Sequence, residues 1–271
     1  MTKNLDLNGL RSIADNYDLF YIDLWGVIHN GIKLNSYAIQ VLHHLQNLKK
    51  EFVLLTNAPR PNLPVQNFLN NMGMDKLFQK NVFTSGEAAL KFLKLNHKKE
   101  YFFHVGPPKD NDLFKEFIDN KKDKISDADY LLCTGLFENE DELINYKKLF
   151  ENNLNKKMIC TNPDLIVDKG DKRELCAGSV AMVFEKLGGK VIYFGKPYAE
   201  VYNLSIENKN KRVLSIGDNL NTDIKGANLL NYDSLLISNG IHKNEINERG
   251  IKEISKQYET IVNYIQSDLK W

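Results

Sequence analysis

At 271 residues, with 42% hydrophobic and 26% charged side chains, the chain is long enough for one large domain or two medium ones. Lysine plus arginine number 36 against 35 for aspartate plus glutamate, and no long basic block occurs, which argues against nucleic acid as a partner. No window approaches the ~18 consecutive apolar residues of a membrane span, and residues 1–10 lack the apolar run of a signal peptide, so the expectation is a cytoplasmic protein without a membrane partner.

Residues 8–16 predict a short helix leading into a strand at 19–24. There Leu19, Phe20, Tyr21 and Ile22 run straight into Asp23 without polar alternation. A run of that kind suits a strand buried on both faces of a parallel sheet. Asp23 would then stand at the carboxyl end, where open α/β sheets place ligands. It could be a nucleophile, a metal ligand or a cap for the following loop. Gly26 lets the backbone turn and approach a ligand closely.

The next segment, 36–49, repeats Ala38, Val41, Leu42, Leu45 and Leu48 at helical spacing. A second buried strand, 52–56, ends at Thr56-Asn57. Pro59, Pro61 and Pro64 then open a helix reaching about Asn71. From there the pattern gives strand 81–84, helix 86–95, strand 101–105, helix 110–120, strand 130–133, helix 141–152 and strand 157–161. A helix at 177–187, ended by Gly188-Gly189, carries the chain back. The tail reads strand 191–194, helix 198–207, strand 212–216, helix 222–230 and strand 234–237, with a last helix over 258–269. Cys133, Cys160 and Cys176 lie in or beside apolar segments and read as small buried residues, not as a disulfide framework or zinc knuckle.

Alternating strands and helices predict an α/β fold: a doubly wound, mostly parallel (Rossmann-like) sheet. Residues 1–80 and 188–271 would form the core, and 81–187 an inserted α/β module. Four strand ends carry reactive polar groups: Asp23, Thr56-Asn57, Gly195-Lys196-Pro197, and Gly217-Asp218 followed by Asp223. Such a set suits phosphoryl transfer through a covalent aspartyl intermediate. Asp23 would attack phosphorus. Asp218 would join Asp23 around Mg²⁺, with the Trp25 carbonyl as a further ligand. Asp223, in the first turn of a new helix, would complete the metal site by holding a metal-bound water or the lysine. Lys196 would neutralise charge on the transferring group, while Thr56 Oγ and backbone groups around Trp25, Gly26 and Asn57 would bind its oxygens.

These stretches resemble the four motifs of the haloacid-dehalogenase (HAD) superfamily of hydrolases: Asp23-Leu-Trp-Gly-Val, Thr56-Asn57, Lys196 in Gly-Lys-Pro, and Gly-Asp218 with Asp223. The module at 81–187 falls where that family's larger C2 cap is inserted. Phe83-Thr-Ser-Gly-Glu-Ala and Thr161-Asn-Pro-Asp are similar to the subfamily IIA branch of 4-nitrophenylphosphatase, phosphoglycolate and sugar- or nucleotide-phosphate phosphatases. The resemblance implies a Mg²⁺-dependent phosphatase acting on a small phosphorylated metabolite, with a homodimer through the cap as the assembly such caps often form.

One position departs from the pattern. The family's phosphatases carry a second Asp two residues after the nucleophile, as general acid and base; here Trp25 stands there, and indole has no proton to exchange near neutral pH. Activity is therefore expected to be slow or restricted to good leaving groups, with His29 the nearest candidate replacement. An aromatic residue at this position also resembles the family's dehalogenases, in which Asp attacks carbon and no metal is needed. A third alternative is a non-catalytic phosphometabolite-binding or interaction protein on the same scaffold.

Overall fold

The computed structural model describes residues 2–140, 142–169, 172–207 and 210–271. Its strands in chain order are β1 (Lys3–Asn4), β2 (Leu19–Asp23), β3 (Glu51–Thr56), β4 (Val82–Thr84), β5 (Phe102–Val105), β6 (Lys121–Lys122), β7 (Tyr130–Cys133), β8 (Lys157–Cys160), β9 (Ile166–Lys169), β10 (Lys172–Leu175), β11 (Lys190–Tyr193), β12 (Val213–Gly217), β13 (Asp233–Ile237) and β14 (Tyr264–Gln266). Every residue of β2 is buried, as its unbroken apolar run requires. The helix Ser36–Asn47 starts at Asn35, whose side chain accepts from the N–H groups of Tyr37 and Ala38. It buries Ala38, Val41, Leu42 and Leu45 along one stripe.

The chain packs as two compact units, one of residues 1–56, 66–83 and 202–271 and the other of residues 57–65 and 84–201. The first contains a sheet in the order β1-β14-β13-β12-β2-β3-β4. The pairings of β2 with β3 and β12, of β13 with β12 and β14, and of β1 with β14 are all parallel. From β2 the chain moves outward to β3 and β4, and it later enters at β12 on the other side of β2. The strand order thus reverses between β2 and β12, the point at which open α/β sheets form a ligand crevice beyond their carboxyl ends. Asp23 is level with Leu55, and Ile22 with Ile216. Thr56 and Asp218 therefore each lie one step beyond Asp23 on its two neighbouring strands.

The second unit has its own parallel sheet, β11-β8-β7-β5-β6, and an antiparallel pair, β9 with β10. Its core packs Tyr146 and Phe150 of one helix and Val180, Ala181 and Phe184 of another against β7 and β8. Cys133, Cys160 and Cys176 are buried free thiols. The molecule is thus a doubly wound, mostly parallel core sheet with an inserted α/β unit.

Several local expectations differ from what forms. The segment 258–269 is not a helix: helices Lys243–Arg249 and Ile251–Gln257 end before it, and β14 inserts between β13 and β1. Tyr264 and Ile265 pair with Leu235 and Leu236 there, so tertiary pairing overrides the local apolar spacing. The stretch 110–120 is 3₁₀-helical, interrupted by non-helical backbone at Phe114 and Phe117. The strand at 191–194 lies in the five-stranded sheet, with Val191 beside Met158 and Tyr193 beside Cys160; periodicity alone does not say which sheet a strand joins. Of the expected helix 141–152, Leu143–Phe150 forms, and Asp141 lies outside the described residues.

Candidate active site

Asp23, Asp218 and Asp223 are all buried, and each offers a carboxylate oxygen within 4.8 Å of the others. Asp23 ends β2 and Asp218 follows β12, on either side of the reversal in strand order. Asp223 sits in a π-helical turn, Leu220–Ile224, opened by Asn219, whose side chain accepts from the Asn221 N–H at 2.9 Å. In that turn the Asn219 carbonyl accepts from both Asp223 and Ile224, and the Asn219 N–H donates to Asp223 Oδ2 at 3.3 Å. Single π-turns of this sort often occur at functional sites. Across the cluster, the Ile241 N–H donates to Asp218 Oδ2 at 3.0 Å.

Three glycines make room for these carboxylates. A β-carbon at Gly26 or Gly240 would overlap the Asp218 side chain, and one at Gly217 would overlap Asp223. Burying three carboxylates together is costly unless a cation offsets their repulsion. A hard, all-oxygen donor set with its space kept clear by glycine fits a divalent cation of the Mg²⁺ or Ca²⁺ kind.

The loop after β2 is tightly closed. The N–H groups of Ile28 and His29 both donate to the Leu24 carbonyl, and Gly26, at φ +83°, donates to the His29 carbonyl at 2.8 Å. Trp25 is half-buried, and a β-carbon at Gly31 would come within 2.7 Å of its indole. His29 accepts from the Gly31 N–H through Nδ1 at 3.0 Å, with its ring 5.1 Å from that of Trp25 and 5.6 Å from that of Phe68. Burial lowers its pKa to about 4. The imidazole is therefore neutral near pH 7 and lacks the imidazolium proton a general acid would donate. Its environment is that of a packing residue.

Thr56 ends β3 in the first unit and is buried. Asn57 and Lys196 lie in the second unit and touch. The Asn57 side chain accepts from the Lys196 N–H at 2.7 Å and donates to the Lys196 carbonyl at 3.0 Å and to Asp164 Oδ1 at 2.9 Å. Gly195, at φ +127°, has no space for a side chain between Asn57 and Pro163. The Asn162-Pro163-Asp164 turn is thus part of the surroundings of Lys196. Sequence reasoning missed Gly240, Ile241, the clearance Gly217 gives Asp223, and this role of Asp164. The available signal was Ser238-Asn-Gly240, a further strand end of the first sheet.

Residues 20–117 match the family described as haloacid dehalogenase-like hydrolase, and residues 193–266 match the HAD-hydrolase-like family. No curated protein sequence matches the chain. Among solved structures, a hydrolase of the haloacid dehalogenase-like family from Brucella suis 1330 is 27% identical, covering 96% of this chain and 98% of its own at a TM-score of 0.82. A 4-nitrophenylphosphatase from Thermotoga maritima shares the fold at 22% identity, covering 95% of this chain and 96% of its own at a TM-score of 0.74. So does a glycerol phosphate phosphatase from Mycobacterium tuberculosis in complex with calcium, at 22% identity, covering 84% of this chain and 68% of its own at a TM-score of 0.65. With clustered carboxylates at the strand-order reversal and both matched stretches spanning it, the chain is an enzyme built on the haloacid dehalogenase-like hydrolase fold.

Proposed function

We propose that the chain is a Mg²⁺-dependent phosphomonoester hydrolase of the subfamily IIA kind, with the unit that carries the seven-stranded sheet as catalytic core and the inserted α/β unit as a C2-type cap. The observation that carries the reading is the buried cluster of Asp23, Asp218 and Asp223 at the end of the central strands. Related folds that act as a 4-nitrophenylphosphatase and a glycerol phosphate phosphatase support it. The substrate is a small phosphorylated metabolite, in a cytoplasmic setting, and a homodimer through the cap is the assembly to test.

In this reading an Asp23 carboxylate oxygen attacks phosphorus, and the bond to the leaving oxygen breaks. Water then cleaves the aspartyl phosphate, releasing inorganic phosphate and restoring Asp23. Asp23, Asp218, Asp223 and the Trp25 carbonyl would hold Mg²⁺, which supplies positive charge between two anions. Thr56 Oγ with the backbone near Trp25, Gly26 and Asn57 binds phosphoryl oxygens, and Lys196 offsets their charge. Trp25 provides no proton for the leaving alkoxide, and His29, neutral and packed, does not replace it. Turnover therefore favours leaving groups that depart as stable anions, such as 4-nitrophenolate.

Trp25 also favours a second reading, a dehalogenase, whose departing halide needs no proton. Phosphate release from a panel of phosphomonoesters, with and without Mg²⁺, separates them. Mg²⁺-dependent release abolished by Asp23→Asn supports the hydrolase. Metal-independent halide release from a haloacid supports the dehalogenase, and binding of phosphomonoesters without release by the wild type overturns the hydrolase reading.

A further inference from the structure

The Ile241 N–H that holds Asp218 belongs to a loop following β13, and that loop is tied down from the other side. The next residue, His242, is buried, and its Nδ1 lies 2.8 Å from Glu245 Oε2. The Tyr258 hydroxyl donates to both oxygens of Glu245, at 3.2 and 3.1 Å, and its ring meets that of His242 edge-on at 4.8 Å. Tyr258 in turn packs on the apolar cluster of Leu220, Ile224, Leu236, Ile254 and Val262. Leu220 and Ile224 bound the turn that carries Asp223. Thus one cluster anchors both the Asp223 turn and, through Tyr258, Glu245 and His242, the backbone donor to Asp218. His242 Nε2 has no hydrogen-bond partner among the described residues, so the contact with Glu245 is the polar tie that fixes the ring.

We infer that His242 is a positioning residue for Asp218: with Glu245 and Tyr258 it sets the Ile241 N–H that fixes the carboxylate for the cation. The inference rests on the metal-dependent reading above. Groups that orient metal ligands from outside typically change metal affinity by about 10–100-fold when removed. His242 acts one residue further away, so the lower end applies.

The test is isothermal titration of the intact protein with Mg²⁺ alone, together with the Mg²⁺ concentration giving half-maximal phosphate release. His242→Ala should weaken Mg²⁺ binding about tenfold. At saturating Mg²⁺, kcat should return close to the wild-type value. His242→Asn, whose amide N–H can replace Nδ1–H toward Glu245, should restore most of the affinity. Glu245→Ala, which removes a more exposed side chain, should weaken binding in the same direction without unfolding the protein. Wild-type Mg²⁺ affinity in both His242→Ala and Glu245→Ala overturns the inference while leaving the hydrolase reading intact. A wild type that binds no Mg²⁺ overturns both.

Discussion

The α-carbon of Gly26 faces the carboxylate of Asp218 so closely that a β-carbon at position 26 would overlap Oδ2. Gly26 also has φ +83°, where an L-residue costs about 1–2 kcal/mol. Gly26→Ala therefore combines backbone strain with displacement of a proposed metal ligand. The expected outcome is at least about a tenfold loss of Mg²⁺ affinity by titration, with a lowered melting temperature. Unchanged affinity in the folded variant would mean that the clearance between these two residues does not serve the cation.

Two buried histidines give a pH dependence of stability that does not involve the carboxylate cluster. Burial lowers the pKa of both His29 and His104 from 6.5 to about 4, with Lys121 adding to the effect at His104. Between those values the unfolded chain binds protons that the folded one does not, so stability is present above pH 6.5 and is lost as pH falls toward 4. Asp110, whose pKa burial raises, acts with opposite sign, so the histidine share is read as a difference between wild type and variant. Thermal melts across this range should fall less steeply for His29→Asn and His104→Asn than for the wild type. Parallel slopes would show that neither ring resists protonation.

How much of this could be seen in the sequence follows from where each signal resides. Leu19 to Ile22 is legible because a strand covered on both faces needs no polar partner, and the first polar residue after it, Asp23, marks the end. Asp218 and Thr56 were legible in the same way, as polar residues at the ends of buried strands. The hold on Asp218 was not, since it comes from the main-chain N–H of Ile241, a group every residue except proline has. The strand at Tyr264–Gln266 was hidden because its partners, β13 and β1, are far away in sequence while its own spacing reads as helical. Lys196 is legible as a lysine just beyond a strand, but the register of β11 with β8, which decides the sheet of that strand, is a long-range property.

Asn57 matters through its two-sided bonding. Its Oδ1 accepts from the Lys196 N–H while its Nδ2 donates to the Lys196 carbonyl and to Asp164. Asn57→Asp keeps the shape but turns the donor into an acceptor facing a carbonyl and a carboxylate. Losing those bonds and leaving buried acceptors unpaired costs roughly 1–3 kcal/mol. The melting temperature should fall clearly, and phosphate release should fall with it if Lys196 serves the phosphoryl group. Wild-type stability in Asn57→Asp would show that the amide orientation at this residue is immaterial.

Trp25 is the position where fold and chemistry diverge, and restoring a carboxylate there is the most direct probe of the leaving-group problem. Its indole is half-buried against His29 and Gly31, so Trp25→Asp removes packing at the edge of the loop and not from the centre of the core. General acid–base help is typically worth about 10²–10⁴-fold. Allowing for an imperfectly placed carboxyl, Trp25→Asp should raise turnover of phosphomonoesters with poor leaving groups at least about tenfold. Turnover of 4-nitrophenyl phosphate should change less, because 4-nitrophenolate leaves without a proton. Comparing the two substrates within one variant separates a new acid from a general disturbance, which would lower both rates. If alkyl phosphates are hydrolysed no faster by a folded, Mg²⁺-binding Trp25→Asp protein, the missing proton donor is not what limits this enzyme.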